Sequence, residues 1–159
     1  MWEDRYAATD AYLFGEEPAQ VLLENPWLAV PEGRALFVAD GEGRNSVHLA
    51  KTGMTVTSFD LAPTAVARAR DLASKMGVSV QSHVSTWEEW DWAQSFDVVV
   101  GIFIQFMPPA QRVGQFKDLA QAVRPGGRLV LHGYTPEQVK LGTGGPPSAD
   151  NMYTEDLLR

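Results

Sequence analysis

The sequence contains no cysteine, which excludes a disulfide framework and a metal site built on thiolates. It also lacks an apolar run as long as the roughly 20 residues that a membrane-spanning helix needs. The first five residues include two acids and a tryptophan, unlike the basic start of a signal peptide. We therefore expect a cytoplasmic protein that makes no contact with a membrane.

Basic residues are few and scattered. The 159 residues include 13 Lys and Arg against 20 Asp and Glu, which gives a formal net charge of −7. A polyanion would meet net repulsion with no basic surface to offset it. We expect no nucleic-acid partner, and a neutral or cationic small molecule as the substrate.

What the chain does contain is an alternation of short apolar runs and helix-forming segments. The apolar runs predict strands at 35–39, 55–59, 78–84, 96–103 and 128–134. Helices are predicted at 46–51, 63–77 and 109–123, and a turn or helical stub at 87–92. This alternation is typical of parallel strands joined by right-handed crossovers. We predict an α/β fold: a Rossmann-like, doubly wound, mostly parallel sheet with helices on both faces.

The chain has the length of one domain, and we expect residues 1–159 to form a single one. Two short helices, near 3–11 and from 18 to 27, predict an N-terminal helical cap at 1–30. The βα core then spans 34–134, and a loop followed by the start of a helix spans 135–159.

Two of the predicted helices carry apolar residues at helical spacing, which assigns the side that packs on the sheet. In the helix at 63–77 these residues are Val66, Ala69, Ala73 and Met76. In the helix at 109–123 they are Val113, Phe116, Ala120 and Val123.

Two signals fall where such a sheet binds ligands, at the carboxyl ends of its strands. Gly41 and Gly43 follow the first strand, where glycine lets backbone N–H groups approach a ligand, although any tight turn there also favours glycine. Asp60 ends the second strand about 20 residues later and can accept the ribose hydroxyls of an adenosine. The position and spacing of Asp60 favour the ribose role, and the alternative is a cap for the helix that starts near Pro63.

Several segments together resemble the class I S-adenosylmethionine-dependent methyltransferases. They are Glu42 to Asn45, Asp60, Phe96 to Val100, and Arg124 to Leu131. The Pro-Gly-Gly turn in the last of these is uncommon in NAD-binding sheets. Residues 2–6, 12–18 and 142–146 are similar to the small bacterial branch related to tellurite-resistance and thiopurine methyltransferases.

The resemblance implies S-adenosylmethionine as the cofactor and assigns residues to it. Gly41 and Gly43 would face its methionine portion, Asp60 its ribose and Leu61 its adenine. The adenine edge would be lined by Ser85, Thr86 and Trp87. The other wall would be formed by Ile102 and Phe103. The methyl group would be covered from the substrate side by Tyr12 and Phe14.

The chain departs from the family pattern at several positions. Phe37 replaces the usual acid of the first strand, Ala39 the first glycine, and Thr86 the acid that reads the adenine amino group. Asp40 offers a carboxylate that either lies near the methionine amine or points to solvent. These replacements predict weaker cofactor binding than is usual for the family.

A further departure concerns the last strands. The family's sheet ends in an antiparallel hairpin, which we expect to be absent from these 159 residues. The fifth strand would then expose Leu129, Val130 and Leu131 beside an unpaired backbone edge, which is a template for association. We expect a homodimer through this edge or a marginally stable monomer.

The remaining chemistry-bearing residues form no clear catalytic set. His48, His83 and His132 lie on separate elements without metal-ligand spacing and are read as structural or surface residues, so no metal is expected. Trp87, Trp90 and Trp92 are read as packing against the sheet, with an aromatic cage for a cation as the alternative.

The methyl acceptor also stays open. No general base is evident, so catalytic residues are left unassigned, and this agrees with a soft acceptor such as a thiol or a chalcogen oxyanion. The expected activity is methyl transfer to a small molecule. The alternatives are a non-catalytic module that binds S-adenosylmethionine and an NAD-binding oxidoreductase on the same kind of sheet.

Overall fold

A computed structural model describes residues 1–142 and 145–159. Its centre is a five-stranded sheet in the order β3-β2-β1-β4-β5 with every pair parallel. The strands are β1 (Arg34–Val38), β2 (Thr55–Asp60), β3 (Val80–Val84), β4 (Phe96–Ile102) and β5 (Val123–His132). The strand order reverses between β1 and β4, which opens a crevice at their carboxyl ends. The predicted Rossmann-like fold is confirmed.

Helices flank the sheet and precede it. They are α1 (Trp2–Ala7), α2 (Gln20–Glu24), α3 (Arg44–Ala50), α4 (Pro63–Lys75), α5 (Pro109–Ala122), α6 (Glu137–Leu141) and α7 (Glu155–Leu158). Two short 3-10 turns lie at Pro26–Leu28 and Ala149–Asn151. The first two helices are shorter than predicted. The 142–146 motif falls partly outside the described residues, which do not include 143 and 144. None of the described helices has the length and apolarity that crossing a bilayer requires.

The core lies on both faces of the sheet, because β1 and β4 are buried on each side. On one face Phe37, Val98 and Val100 pack with Leu49 of α3. On the other face Leu36, Val38 and Val99 pack with Leu119 of α5. This two-sided burial explains why these strands are continuous apolar runs in the sequence.

The helix faces agree with the sequence for α4 and differ for α5. In α4, Val66, Ala69 and Ala73 are buried as predicted, whereas Met76 lies past its end and is 36% exposed.

The predicted face of α5 is right for Phe116 and Val123, which pack against the core, and wrong for Val113 and Ala120. Val113 is 74% exposed and Ala120 is also exposed, while Arg112, Gln115, Leu119 and Ala122 are buried. The two buried polar side chains have backbone partners, because Arg112 donates to the Asp150 carbonyl at 2.8 Å and Gln115 reaches the Ile104 carbonyl at 3.5 Å. Such bonds offset the cost of burying polar groups, so Arg112 and Gln115 lie on the packed side of α5 where apolarity alone favours Val113 and Ala120.

β5 forms one edge of the sheet and begins earlier than predicted. It pairs with β4 from Val123 to His132, with an irregularity opposite Phe96 to Val98 that accommodates the Pro-Gly-Gly turn. Leu129 is 37% exposed, and Val130 and Leu131 are half-buried. The apolar exposure predicted for this edge therefore falls mainly on Leu129.

Candidate functional site

The loop between β1 and α3 turns through three left-handed residues. Gly41 has φ +62° and Gly43 has φ +87°, and Ala39 at the usual first-glycine position has φ +49°. A Cβ at Gly43 would lie 2.8 Å from the Cβ of Ala69, so glycine lets the loop pack directly on α4. Ala39 keeps the same conformation as a glycine would, at a cost of about 1–2 kcal/mol.

Asp60 connects the end of β2 to this loop. Its Oδ2 accepts the Gly41 N–H at 2.8 Å, and its Oδ1 accepts the Ala62 N–H at 2.9 Å. The N-cap of α4 is Ala62 rather than Asp60, so Asp60 supports the helix start without being its cap. Burial raises the pKa of Asp60, and hydrogen bonds from the backbone N–H groups of Ala62, Gly41 and Leu61 oppose that rise. A carboxylate offers about four lone-pair sites, so the predicted bonds to ribose hydroxyls stay chemically open to Asp60.

Asp40 turns into the protein rather than toward solvent. Ser46, which is fully buried, donates its hydroxyl to Asp40 Oδ2 at 2.5 Å. Burial raises the pKa of Asp40 to about 8, the nearby Asp60 charge adds to the rise, and the Ser46 bond opposes it. Burial therefore favours the protonated form of Asp40.

Tyr6 of α1 is a site residue that the sequence analysis missed. It is 5% exposed, and a Cβ added at Gly41 would lie 2.9 Å from its hydroxyl. The phenol therefore occupies the space that a side chain at Gly41 would need. Burial and the carboxylates of Asp60, Glu42 and Asp40 raise its pKa, so it is a neutral hydrogen-bond donor. Tyr6 belongs to the 2–6 motif, but no periodicity in α1 indicates this contact.

An ion pair holds the N-terminal segment over the loop. Glu42 Oε2 lies 2.8 Å from Arg68 Nη1 of α4, with 3% and 16% of the two side chains exposed. Glu42 Oε1 accepts the Leu13 N–H at 2.6 Å, and Arg68 also donates to the carbonyls of Thr9 and Ala11. Glu42 of the glycine loop thus contacts both α4 and the N-terminal segment that covers the loop.

Tyr12 and Phe14 lie on the outer side of this cover. The Tyr12 ring packs with Val47 and Leu72 between α3 and α4, and its hydroxyl donates to the Arg68 carbonyl at 3.3 Å. Phe14 is 50% exposed, with its ring centroid 6.2 Å from that of Trp2. Their predicted contact with the methyl group stays a prediction, and Tyr6 is the aromatic residue that meets the glycine loop.

The predicted adenine-side residues all follow β2 or β3. Leu61 is 50% exposed beside Asp60, and the Ser85 N–H donates to the Asp60 carbonyl at 3.0 Å. The Thr86 hydroxyl accepts the Glu89 N–H at 3.2 Å. Leu61 and the turn after β3 therefore lie side by side at the carboxyl ends of β2 and β3, and their contact with adenine stays a prediction.

The indoles after β3 pack into the fold, which favours the structural interpretation over a cation cage. Trp87 is 9% exposed and donates its Nε1 to Asp118 at 2.9 Å. Trp90 stacks on Phe59 with centroids 4.5 Å apart, and Trp87 lies 4.7 Å from Trp92. The three indole rings therefore pack against Phe59 and against one another.

Ile102 and Phe103, which are predicted to form the other wall of the cofactor site, are the last residue of β4 and the residue after it. Ile102 packs against the core, whereas Phe103 is 40% exposed and has φ +56°. His48, His83 and His132 belong to α3, β3 and β5, and the described residues contain no cluster of three metal-ligating side chains.

Comparison with known proteins identifies the family of this site. Residues 35–127 match the family model described as a methyltransferase domain. An uncharacterised protein of Mycobacterium tuberculosis is 34% identical over 109 residues, which are 67% of this chain and 39% of that protein. A ubiquinone biosynthesis O-methyltransferase of Xanthomonas axonopodis is 34% identical over 101 residues, which are 62% of this chain and 41% of that protein.

The fold comparison extends further along the chain. A TehB-like S-adenosylmethionine-dependent methyltransferase from Corynebacterium glutamicum superposes with a TM-score of 0.66 at 19% identity, covering 99% of this chain and 74% of that one. By sequence, this chain spans about two fifths of the length of the curated relatives it matches.

Proposed function

The chain belongs to the methyltransferase-domain family, whose methyl donor is S-adenosylmethionine, and from that premise we propose that it transfers this methyl group to a small-molecule acceptor in the cytoplasm. We also propose membership of the bacterial branch related to tellurite-resistance methyltransferases. The likeness to the TehB-like structure over 99% of the chain supports that finer assignment.

The residues present fit the cofactor. The single observation that carries the proposal is the bond from the Gly41 N–H to Asp60 Oδ2, which joins the glycine loop and the acid of β2 into one unit. Asp60 would hold the ribose with its remaining lone pairs, and Gly41 and Gly43 would lie against the methionine portion. Gly41 has no Cβ, which lets the Tyr6 hydroxyl lie directly over the glycine loop, beside the proposed methionine position.

The chemistry divides between the cofactor and the chain. When bound, S-adenosylmethionine supplies a methyl carbon on a sulfonium, which is already primed for attack. The chain holds the acceptor in line with that carbon and excludes water, an effect of proximity and orientation. Tyr6 and the segment held by Glu42 and Arg68 cover the loop from one side, which serves both tasks.

The local charge suits a cationic ligand. The Arg68 guanidinium compensates Glu42, and Asp60 accepts the Gly41 N–H, so Asp60 is the carboxylate proposed to face the ligand beside the loop. One carboxylate beside the ribose attracts a sulfonium without an excess of buried like charge.

Two kinds of methyl acceptor are chemically possible: a soft sulfur or chalcogen nucleophile and a harder oxygen nucleophile. A thiol or a chalcogen oxyanion needs no strong base, which agrees with the absence of an obvious one in the sequence. An oxygen acceptor, as the name of the Xanthomonas relative implies for that protein, needs a group that takes its proton. A proton-accepting side chain on the acceptor side of the crevice would therefore favour an oxygen acceptor.

Isothermal titration calorimetry tests the proposal. We expect S-adenosylhomocysteine to bind and NADH to bind at least tenfold more weakly. Equal or reversed affinities would favour the NAD-binding alternative. Binding of S-adenosylmethionine without methyl transfer to any thiol, chalcogen oxyanion or phenol would favour the non-catalytic module.

A further inference from the structure

The strand order places the acceptor at the ends of β4 and β5. The predicted adenine turn follows β3, the ribose acid follows β2, and the glycine loop follows β1. A cofactor laid along these three points in sequence directs its methionine end toward the neighbouring β4 and β5. This step rests on the proposed function.

An aromatic cluster lies at those ends. The rings of Phe103 and Tyr134 stack with centroids 4.7 Å apart and an interplanar angle of 25°. The His132 imidazole meets the Phe103 ring edge-on at 5.2 Å and 69°. His132 is the last residue of β5 and pairs with Ile102, so the imidazole belongs to the same edge as the cofactor wall.

Phe103 keeps a backbone conformation that its side chain disfavours. Its φ is +56°, and its N–H donates to the His132 carbonyl at 2.8 Å. Bulky residues with such a φ concentrate at functional sites, because the surrounding structure must enforce them. Phe103 is also 40% exposed at the carboxyl end of β4.

The cluster is supported from behind. Gln105 is 3% exposed; its Oε1 accepts the Tyr134 N–H at 2.6 Å and its Nε2 donates to the Tyr134 carbonyl at 2.8 Å. A Cβ at Gly145 would lie 2.6 Å from the Tyr134 ring, so that chain segment packs directly on the ring. The backbone of Tyr134 is therefore fixed, which fixes the ring that Phe103 stacks on.

We propose that Phe103, His132 and Tyr134 form the acceptor site, that the acceptor is a planar phenol, and that His132 is the catalytic base. The phenol ring lies against the exposed part of Phe103, since aromatic rings favour stacked or edge-on contacts. The phenol oxygen forms a bond to the methyl carbon while the carbon–sulfur bond breaks and leaves its electron pair on sulfur. The phenol proton passes to an unprotonated ring nitrogen of the imidazole, a side chain that can accept a proton as a general base.

The test compares two acceptors of different acidity, catechol and 4-nitrocatechol, in methyl transfer by the wild type and His132→Gln. A general base contributes about 10²- to 10⁴-fold to a step that must remove a proton. We expect His132→Gln to lower kcat for catechol by at least 100-fold. We expect less than a threefold loss for 4-nitrocatechol at pH 8, where that acceptor is already ionised. Equal losses for both acceptors would overturn the catalytic role and leave a structural one.

A binding measurement tests the site independently of turnover. Phe103→Gly relieves the left-handed strain while removing the ring, so it keeps the fold. With S-adenosylhomocysteine saturating, it is expected to weaken 4-nitrocatechol binding at least tenfold. Val113→Gly on the exposed side of α5 serves as the control and leaves that binding unchanged.

The two proposals fail differently. If S-adenosylhomocysteine does not bind, the proposed function fails. If it binds but the wild type neither binds nor methylates either phenol, only the acceptor site is overturned, and thiol acceptors then take precedence.

Discussion

The carboxylate of Asp60 and the backbone N–H of Gly41 lie 2.8 Å apart in a direct hydrogen bond. The bond joins the carboxyl ends of two neighbouring strands, and Asp60 binds the Ala62 N–H at the start of α4 as well. A carboxylate that organises its own loop in this way is already oriented before a ligand arrives, which lowers the entropic cost of binding.

Asp60→Ala tests the ribose role. Hydrogen bonds to charged acceptors contribute about 1.5–3 kcal/mol each, so loss of the carboxylate is expected to weaken S-adenosylhomocysteine binding at least about tenfold. Calorimetry on protein shown to be folded by circular dichroism measures this. Asp71→Ala, which removes an exposed acid of α4, is the control. An unchanged affinity would leave Asp60 with a structural role alone.

Ala39→Gly is expected to stabilise the fold. The left-handed φ of Ala39 costs about 1–2 kcal/mol, and the greater freedom of an unfolded glycine offsets about 0.4–1 kcal/mol of the gain. Urea denaturation should therefore show a net increase of about 0.5–1 kcal/mol in the free energy of unfolding. Ala67→Gly, at an exposed position inside α4, should show a decrease of about 1 kcal/mol. A decrease for both would mean that Ala39 is not strained.

Asp40 makes stability depend on pH. Because its folded pKa of about 8 lies above the unfolded value near 4, the folded state binds one more proton than the unfolded state between those values. The free energy of unfolding therefore falls as pH rises from about 4 to about 8, by up to about 1.4 kcal/mol per pH unit. Asp60, whose pKa burial also raises, adds to the same slope.

Asp40→Asn removes this titration and keeps an acceptor for Ser46. Denaturation series from pH 5 to pH 8 should give a flatter profile for this variant than for the wild type. Asp71→Asn should reproduce the wild-type profile. Identical slopes for Asp40→Asn and the wild type would mean that Asp40 ionises normally in the folded protein.

Removing one partner of the Glu42–Arg68 ion pair is expected to destabilise the fold more than removing both partners. Arg68→Met leaves the Glu42 carboxylate buried without its partner, at a cost of about 3–5 kcal/mol. Combining it with Glu42→Gln should recover most of that loss, because the amide oxygen still accepts the Leu13 N–H. Thermal denaturation measures the stability, and hydrogen exchange at residues 9–13 reports whether the covering segment opens. Additive losses in the double variant would contradict this coupling.

We propose that the exposed edge of β5 supports a homodimer. Leu129→Lys places a charge on that edge, and charges on edge strands oppose pairing. Light scattering is expected to show a dimer for the wild type and a monomer for this variant. Val113→Lys, on the more exposed apolar position of α5, is expected to stay dimeric. A wild type that is monomeric and thermally robust would disprove the dimer.

The sequence by itself determined the strands, their parallel pairing, and the edge where the glycine loop and Asp60 come together. Strands buried on both faces must be continuous apolar runs, as in Phe96 to Val100, and βα units cross over with one hand. Only the tertiary structure decided that Asp40 turns inward to Ser46, that Tyr6 lies over Gly41, and that Glu42 pairs with Arg68, which is 26 positions away. It also decided that α5 buries Arg112 and Gln115 instead of Val113. The physical reason is that a polar side chain is buried where a partner compensates it, and a partner distant in the chain leaves no trace in local periodicity.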